Sequence, residues 1–128
     1  MLAHYAGDAC QPLHISHLHH GQEDDQTDDA VHGVYEDKML TKYAAEVVTG
    51  VNNRAVPVTK AELFKGGANA ADAVVELMAR TVEAISPQTV LDCFNRTRGQ
   101  KQLDKMWFEL GELTLDRFAD GAMKLALI

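Results

Sequence analysis

With two cysteines, three prolines and 6% aromatic residues, the 128-residue chain lacks most of what marks a specialised scaffold. Cys10 and Cys93 are too few for a disulfide framework, and their spacing neither requires nor excludes one bridge, so the redox compartment stays open. No apolar run approaches the roughly 20 residues that span a bilayer, which excludes stable membrane insertion. Met1-Leu2-Ala3-His4-Tyr5 lacks the basic and long apolar regions of a signal peptide. No period-2 strand pattern or internal repeat stands out. No Lys or Arg precedes Lys38, and no basic patch is visible along the sequence, which with the few aromatics leans against a nucleic-acid binder.

What is present is a globular composition, 46% hydrophobic, expected to form a single domain over residues 1–128. The net charge of −7 has a definite location. Residues 1–37 hold eight acids and no fixed cation, whereas residues 38–128 hold eleven acids against twelve bases. All six histidines, His4, His14, His17, His19, His20 and His32, fall in the same acidic stretch. Imidazoles and carboxylates concentrated together, with no lysine or arginine among them, suit the binding of metal cations. The run from Glu23 to Asp29, taken alone, reads as a solvated acidic segment, and residues 17–29 as an acidic, His-rich loop.

The chain reads as all-helical. Met1 to about Ala9 has helical composition and is interrupted at Gln11-Pro12, because proline removes a donor and clashes with the preceding turn. A second helix is expected from Ala30 or Val31 to Thr49, with Gly50 as its stop. Thr59-Lys60-Ala61-Glu62 matches a capping box opening a short helix that Gly66-Gly67 ends. Asn69 can cap the next helix, Ala70 to Ile85, whose stripe of Ala70, Ala73, Val74, Leu77, Met78 and Ile85 has core spacing. Ser86-Pro87 supplies an N-cap and a first-turn proline for a helix through about Asn95. Lys101 to Ile128 is the longest, with Leu103, Met106, Trp107, Leu110, Leu113, Phe118 and Leu125 on its apolar side.

Two spacings carry the chemistry. His4 and Asp8 are four apart, on one face of the first helix, and His32 and Glu36 repeat that arrangement on the second. His14 lies between them, just after the proline break. Two helices that each offer a histidine and a carboxylate, with a third histidine at their junction, give the mixed nitrogen and oxygen set that zinc favours. His17, His19 and His20 read as loop histidines, Tyr5 and Tyr35 as packing beside the ligands, and Cys10 as a small buried residue.

The segment His4-Tyr5-Ala6-Gly7-Asp8-Ala9-Cys10-Gln11-Pro12-Leu13-His14, followed by His32-x3-Glu36, resembles the signature of the zinc-dependent phospholipases C and single-strand-specific nucleases. That resemblance covers residues 2–14 and 31–37 closely. It implies an all-α, multi-helix domain with the metal site between helices and three zinc ions in the intact site. By motif position His4 would bind one zinc, Asp8 would bridge it to a second, and His14, His32 and Glu36 would bind the third. The family's remaining ligands, an N-terminal Trp, two His and an Asp, lie upstream of the matched motif. The only Trp here is Trp107, so the chain is expected to be a C-terminal portion, truncated at the N-terminus and lacking the N-terminal half of the domain. Glu at position 36 is closer to the phospholipase branch than to the nucleases.

The function so implied is zinc-dependent hydrolysis of a phosphodiester, with phospholipid or single-stranded nucleic acid as substrate and secretion or a periplasmic location. Zinc-activated water would attack phosphorus, and the general base would lie in the upstream part. The alternative is a catalytically silent helical module that holds a metal for structure.

Overall fold

The computed structural model describes residues 2–18 and 30–128, and among these every regular element is helical. The expected all-α class is what forms. Helix α1 (Leu2–Ala9) leads into a 3-10 turn (Pro12–Ile15). A π-helix (Gly33–Met39) continues into the single turn α2 (Leu40–Lys42) and then α3 (Ala44–Arg54). After a second 3-10 turn (Lys60–Glu62) come α4 (Gly67–Ala84), α5 (Pro87–Thr97) and α6 (Gln102–Ala126). Helix α6 is the spine: α1, α3, α4, α5 and the π-helix all pack on it. None of the described helices is long and apolar enough to cross a membrane.

Helix α1 stops where proline forbids its next turn, and its last carbonyls find buried partners. Cys10 Sγ donates to Ala6 O at 3.0 Å, and Thr81 Oγ1, from α4, donates to Ala9 O at 2.7 Å. Pro12 and Leu13 are buried in the 3-10 turn, so the turn is pinned to the core just before His14.

The second expected helix differs in three ways. It widens into a π-helix over Gly33–Met39, which carries Val34, Tyr35 and Met39 into the core behind the buried Val31. It breaks at Tyr43 (φ −106°, ψ 25°), and it then runs past Gly50 to Arg54. Gly50 is no stop. A Cβ there would lie 2.6 Å from Leu115 Cδ1, so this glycine lets α3 approach α6.

Other boundaries also move. The Thr59 capping box forms, with Thr59 N–H donating to Glu62 Oε2 at 2.7 Å, but it opens only the 3-10 turn. Helix α4 begins at Gly67 after Gly66 at φ 104°, which places Asn69 inside the first turn instead of at the cap. Ser86 caps α5 as expected, accepting from Thr89 N–H at 3.1 Å, and the helix continues two residues beyond Asn95, to Thr97.

The main core joins Leu13, Val34, Tyr35, Met39, Ile85, Val90, Phe94, Met106 and Leu110, and a smaller cluster joins Ala9, Cys10 and Leu77. Of the expected apolar side of α6, Met106 and Leu110 are buried, whereas Leu113 and Leu125 are more than a third exposed. Trp107 is partly buried and stacks on Tyr43, ring centroids 4.5 Å apart and 6° from parallel.

Candidate metal centre

The 3-10 turn and the π-helix aim three side chains at one point. One ligand atom from each of His14, His32 and Glu36 lies within 4.8 Å of the others, and this is the group of metal-binding type found among the described residues. His14 Nε2 is 2.9 Å from Glu36 Oε2 and 3.2 Å from His32 Nε2. His32 Nε2 is also paired with Glu36 Oε2, its i, i+4 neighbour. These side chains are 24–37% exposed, open enough for a ligand and still fixed by their elements.

On its other nitrogen, His14 is held by Asp8: Nδ1 lies 2.8 Å from Asp8 Oδ1. A carboxylate only accepts, so Nδ1 carries the proton and donates it. By the same rule Nε2, 2.9 Å from Glu36 Oε2, carries a proton when no cation is present, and a cation bound at Nε2 would take that proton's place while Nδ1 keeps its bond to Asp8. Carboxylate support of a ligating imidazole through its far nitrogen is the usual outer-shell arrangement of zinc histidines.

Two imidazole nitrogens and a carboxylate oxygen gathered this closely can be bridged either by protons or by a cation. A tetrahedral zinc with bonds of about 2.0–2.2 Å holds its ligand atoms about 3.3–3.6 Å apart. The 3.2 Å between the two imidazole nitrogens is close to such an edge, whereas both contacts to Glu36 are shorter, so the carboxylate would swing outward to admit an ion; the donor set of two nitrogens and one oxygen is chemically apt for zinc and poor for calcium. Without an ion a proton does part of the same work. Burial by itself lowers the His14 pKa, but the hydrogen bond to Asp8 and the Glu36 carboxylate outweigh it and hold the imidazole above its ordinary value.

His4 and Asp8 stand beside this group. His4 Nε2 is 3.3 Å from Asp8 Oδ2, and the His4 side chain is 75% exposed, so Asp8 lies between two histidines with one oxygen toward each. Together His4, Asp8, His14 and Glu36 line a cavity of about 420 Å³ whose far wall is α6 at Phe118, Gly121 and Leu125. His17 is exposed, whereas His19, His20 and the run from Glu23 to Asp29 lie outside the described residues.

Several neighbours were not legible beforehand. Tyr5, expected to pack beside the ligands, is 53% exposed, its ring edge-on to that of His4 with centroids 6.0 Å apart. Tyr35 is buried, its hydroxyl 2.7 Å from Thr114 Oγ1, and burial pushes its pKa up to about 12. Cys10 is buried as expected, its thiol pushed up to about 11 by burial first and the Asp120 charge second, and neither cysteine is bridged. Gln11 is buried at the same turn with no partner for its Oε1. Lys38, Lys42, Arg98 and Lys101 line one depression, brought together from segments about sixty positions apart, and Lys42 is paired there with Asp104.

No protein-family model matches the chain, and no solved structure matches it. Over 98% of its length it is similar, at 31% identity, to a probable serine protease of Bradyrhizobium tropiciagri. The chain spans 19% of that curated relative, so most of the relative lies outside the aligned segment.

Proposed function

We propose that this chain contributes a zinc site to a phosphodiester hydrolase longer than the chain itself. The observation that carries the reading is the convergence of His14 Nε2, His32 Nε2 and Glu36 Oε2, with Asp8 fixing the His14 tautomer from behind. Three protein ligands leave room for a further one, the arrangement of catalytic rather than structural zinc. When bound, zinc supplies Lewis acidity toward a phosphoryl oxygen and lowers the pKa of water to about 7.

The chain's own residues do the rest. His14 and His32 hold neutral imidazole nitrogens toward the ion, Glu36 offsets its charge, and Asp8 keeps the His14 proton on Nδ1 so that it cannot compete for the ligating atom. The cavity bounded by α6 gives a substrate group about 420 Å³ beside His14 and Glu36. A general base and the further ligands for His4 and Asp8 belong, on this reading, to sequence outside the chain.

The name of the Bradyrhizobium protein supports hydrolysis in the coarse sense. A serine nucleophile within this segment has little to recommend it. The chain has two serines: Ser86 caps α5, and Ser16 Oγ accepts from Leu18 N–H at 2.9 Å in the turn after His14.

The test is hydrolysis of bis(p-nitrophenyl) phosphate by the full-length protein, with and without a chelator. Activity lost to chelation and restored by zinc is expected. Activity abolished by a serine-directed inhibitor and indifferent to chelation would contradict the reading. Zinc bound at His14, His32 and Glu36 with no hydrolysis of lipid or nucleotide esters would instead identify the silent metal-holding module.

A further inference from the structure

Pro12 disfavours helical backbone in the residue before it, and Gln11 is accordingly extended, at φ −102° and ψ 111°. Its side chain nevertheless stays inside the protein. Gln11 is 4% exposed and lines the same cavity of about 420 Å³ as His4, Asp8, His14 and Glu36. Among the described residues its Oε1 is buried with no hydrogen-bond partner.

A glutamine in such a place is unfavourable. A methionine of similar length would fill the space with no carbonyl to desolvate, whereas a buried oxygen without a donor gives up its water and gains nothing. Unsatisfied buried polar groups are few in folded proteins, and each calls for a reason. The side chains of the cavity wall supply no donor. Cys10 Sγ donates to Ala6 O at 3.0 Å, His4 Nε2 pairs with Asp8, and the two nitrogens of His14 are taken by Asp8 and Glu36. Asp8 and Glu36 are carboxylates and only accept. The missing donor is one that an occupant of the cavity can bring.

The surroundings narrow the chemistry of that donor. Phosphoryl oxygens of a diester only accept, so the donor belongs to the organic part of the ester. An ammonium group would go to the Asp8 or Glu36 carboxylate, where a charge-assisted bond is stronger, and the neutral carbonyl of Gln11 is left to suit a hydroxyl. Leu40, Phe118 and Leu125 make the neighbouring wall apolar, which fits a hydroxyl carried on a hydrocarbon chain. The terminal torsion of glutamine is broad, so the carboxamide can turn toward such a ligand at little cost.

We propose that Gln11 is a substrate-recognition residue: its carboxamide oxygen accepts a hydrogen bond from a hydroxyl on the organic group of the phosphoester, so that the cavity selects hydroxyalkyl esters over alkyl esters. The inference deepens the reading of this cavity as the substrate site of a zinc hydrolase, and it rests on that reading.

The test compares 3-hydroxypropyl phosphate with propyl phosphate, which carry the same charge and differ by one hydroxyl, in calorimetric titrations of the 128-residue chain in buffered zinc. The parent is expected to bind the hydroxyl compound about two- to tenfold more tightly, the worth of one neutral hydrogen bond. The side-chain amide resonances of Gln11 are expected to move with that compound and to stay in place with propyl phosphate, a comparison that needs no variant. Gln11→Met is expected to bind both compounds with the parent's affinity for propyl phosphate. It is also expected to melt at a higher temperature than the parent without ligand, since the orphaned oxygen is gone, so a lost preference cannot be mistaken for unfolding. Equal affinities in the parent, or a preference that survives in Gln11→Met, overturn the proposal, and they leave the metal centre standing where elemental analysis still finds one zinc per chain. Failure of the parent to bind either compound also overturns it, and absence of zinc from the same sample shows that the zinc reading has failed with it.

Discussion

The hydroxyl of Tyr35 lies 2.7 Å from that of Thr114, and the direction of the bond is fixed by a third group. Thr114 Oγ1 donates its one proton to Leu110 O at 2.8 Å, so Tyr35 must donate to Thr114. Both residues are buried, and the chain of bonds ties the π-helix, one residue before Glu36, to the α6 spine.

That direction predicts unequal mutants. Tyr35→Phe removes a donor and leaves Thr114 bonded to Leu110, at a cost of about 0.5–1.5 kcal/mol. Thr114→Val strands the Tyr35 hydroxyl in the core and should cost about 1–3 kcal/mol, with the double variant losing less than the sum. Urea denaturation of the three variants measures this, and equal single losses that add would contradict the assigned direction.

Gly121 of α6 predicts a second coupled pair. A Cβ there would lie 2.0 Å from Cys10 Sγ, and that sulfur is itself fixed by its bond to Ala6 O. Gly121→Ala should therefore destabilise by about 1–3 kcal/mol, the usual cost of overpacking. Adding Cys10→Ala should recover part of the loss, because it removes the atom that clashes. Thermal melts decide it, and a double variant no better than Gly121→Ala would refute the contact.

Asp104 gives a pH dependence of known sign. The hydrogen bond from Lys42 and then that from Tyr43 hold its carboxyl below the usual range. A depressed folded-state pKa stabilises above the unfolded value of about 3.9, and that contribution is lost as pH falls through the folded value. The same bond, with Asp104 as its largest cause, pushes the Tyr43 phenol up to about 12. Asp104→Asn should flatten the acid limb of the stability curve and bring Tyr43 back toward 10, read as tyrosinate absorbance. An unchanged alkaline titration in Asp104→Asn would show that the bond does not form.

The parts legible in the sequence are those governed by neighbours a few residues apart. The break at Pro12, the Ser86-Pro87 start of α5 and the face shared by His32 and Glu36 all follow from local backbone chemistry, and each stands in the fold. Gly50 was misread because its reason is a side chain far along the chain, Leu115, rather than the turn chemistry that glycine usually signals. Asn69 lost the cap to Gly66, whose positive φ starts α4 earlier than a capping side chain would. The π-helix has no sequence period of its own to find. In the metal centre the ligand types were visible, but the bond between Asp8 and His14 Nδ1 was not, since it needs the 3-10 turn to fold His14 back over α1. The meeting of Lys42 on α2 with Asp104 of α6 escaped for the same reason at longer range.

The central claim is tested most directly by counting zinc. After equilibrium dialysis against buffered zinc, the 128-residue chain should retain one ion per molecule by elemental analysis. His14→Ala, His32→Ala and Glu36→Gln should each lose it while keeping the helical circular dichroism of the parent, and Asp8→Asn should weaken binding about 10–100-fold as an outer-shell partner does. Zinc retained at the parent stoichiometry and affinity in the three ligand variants would contradict the site.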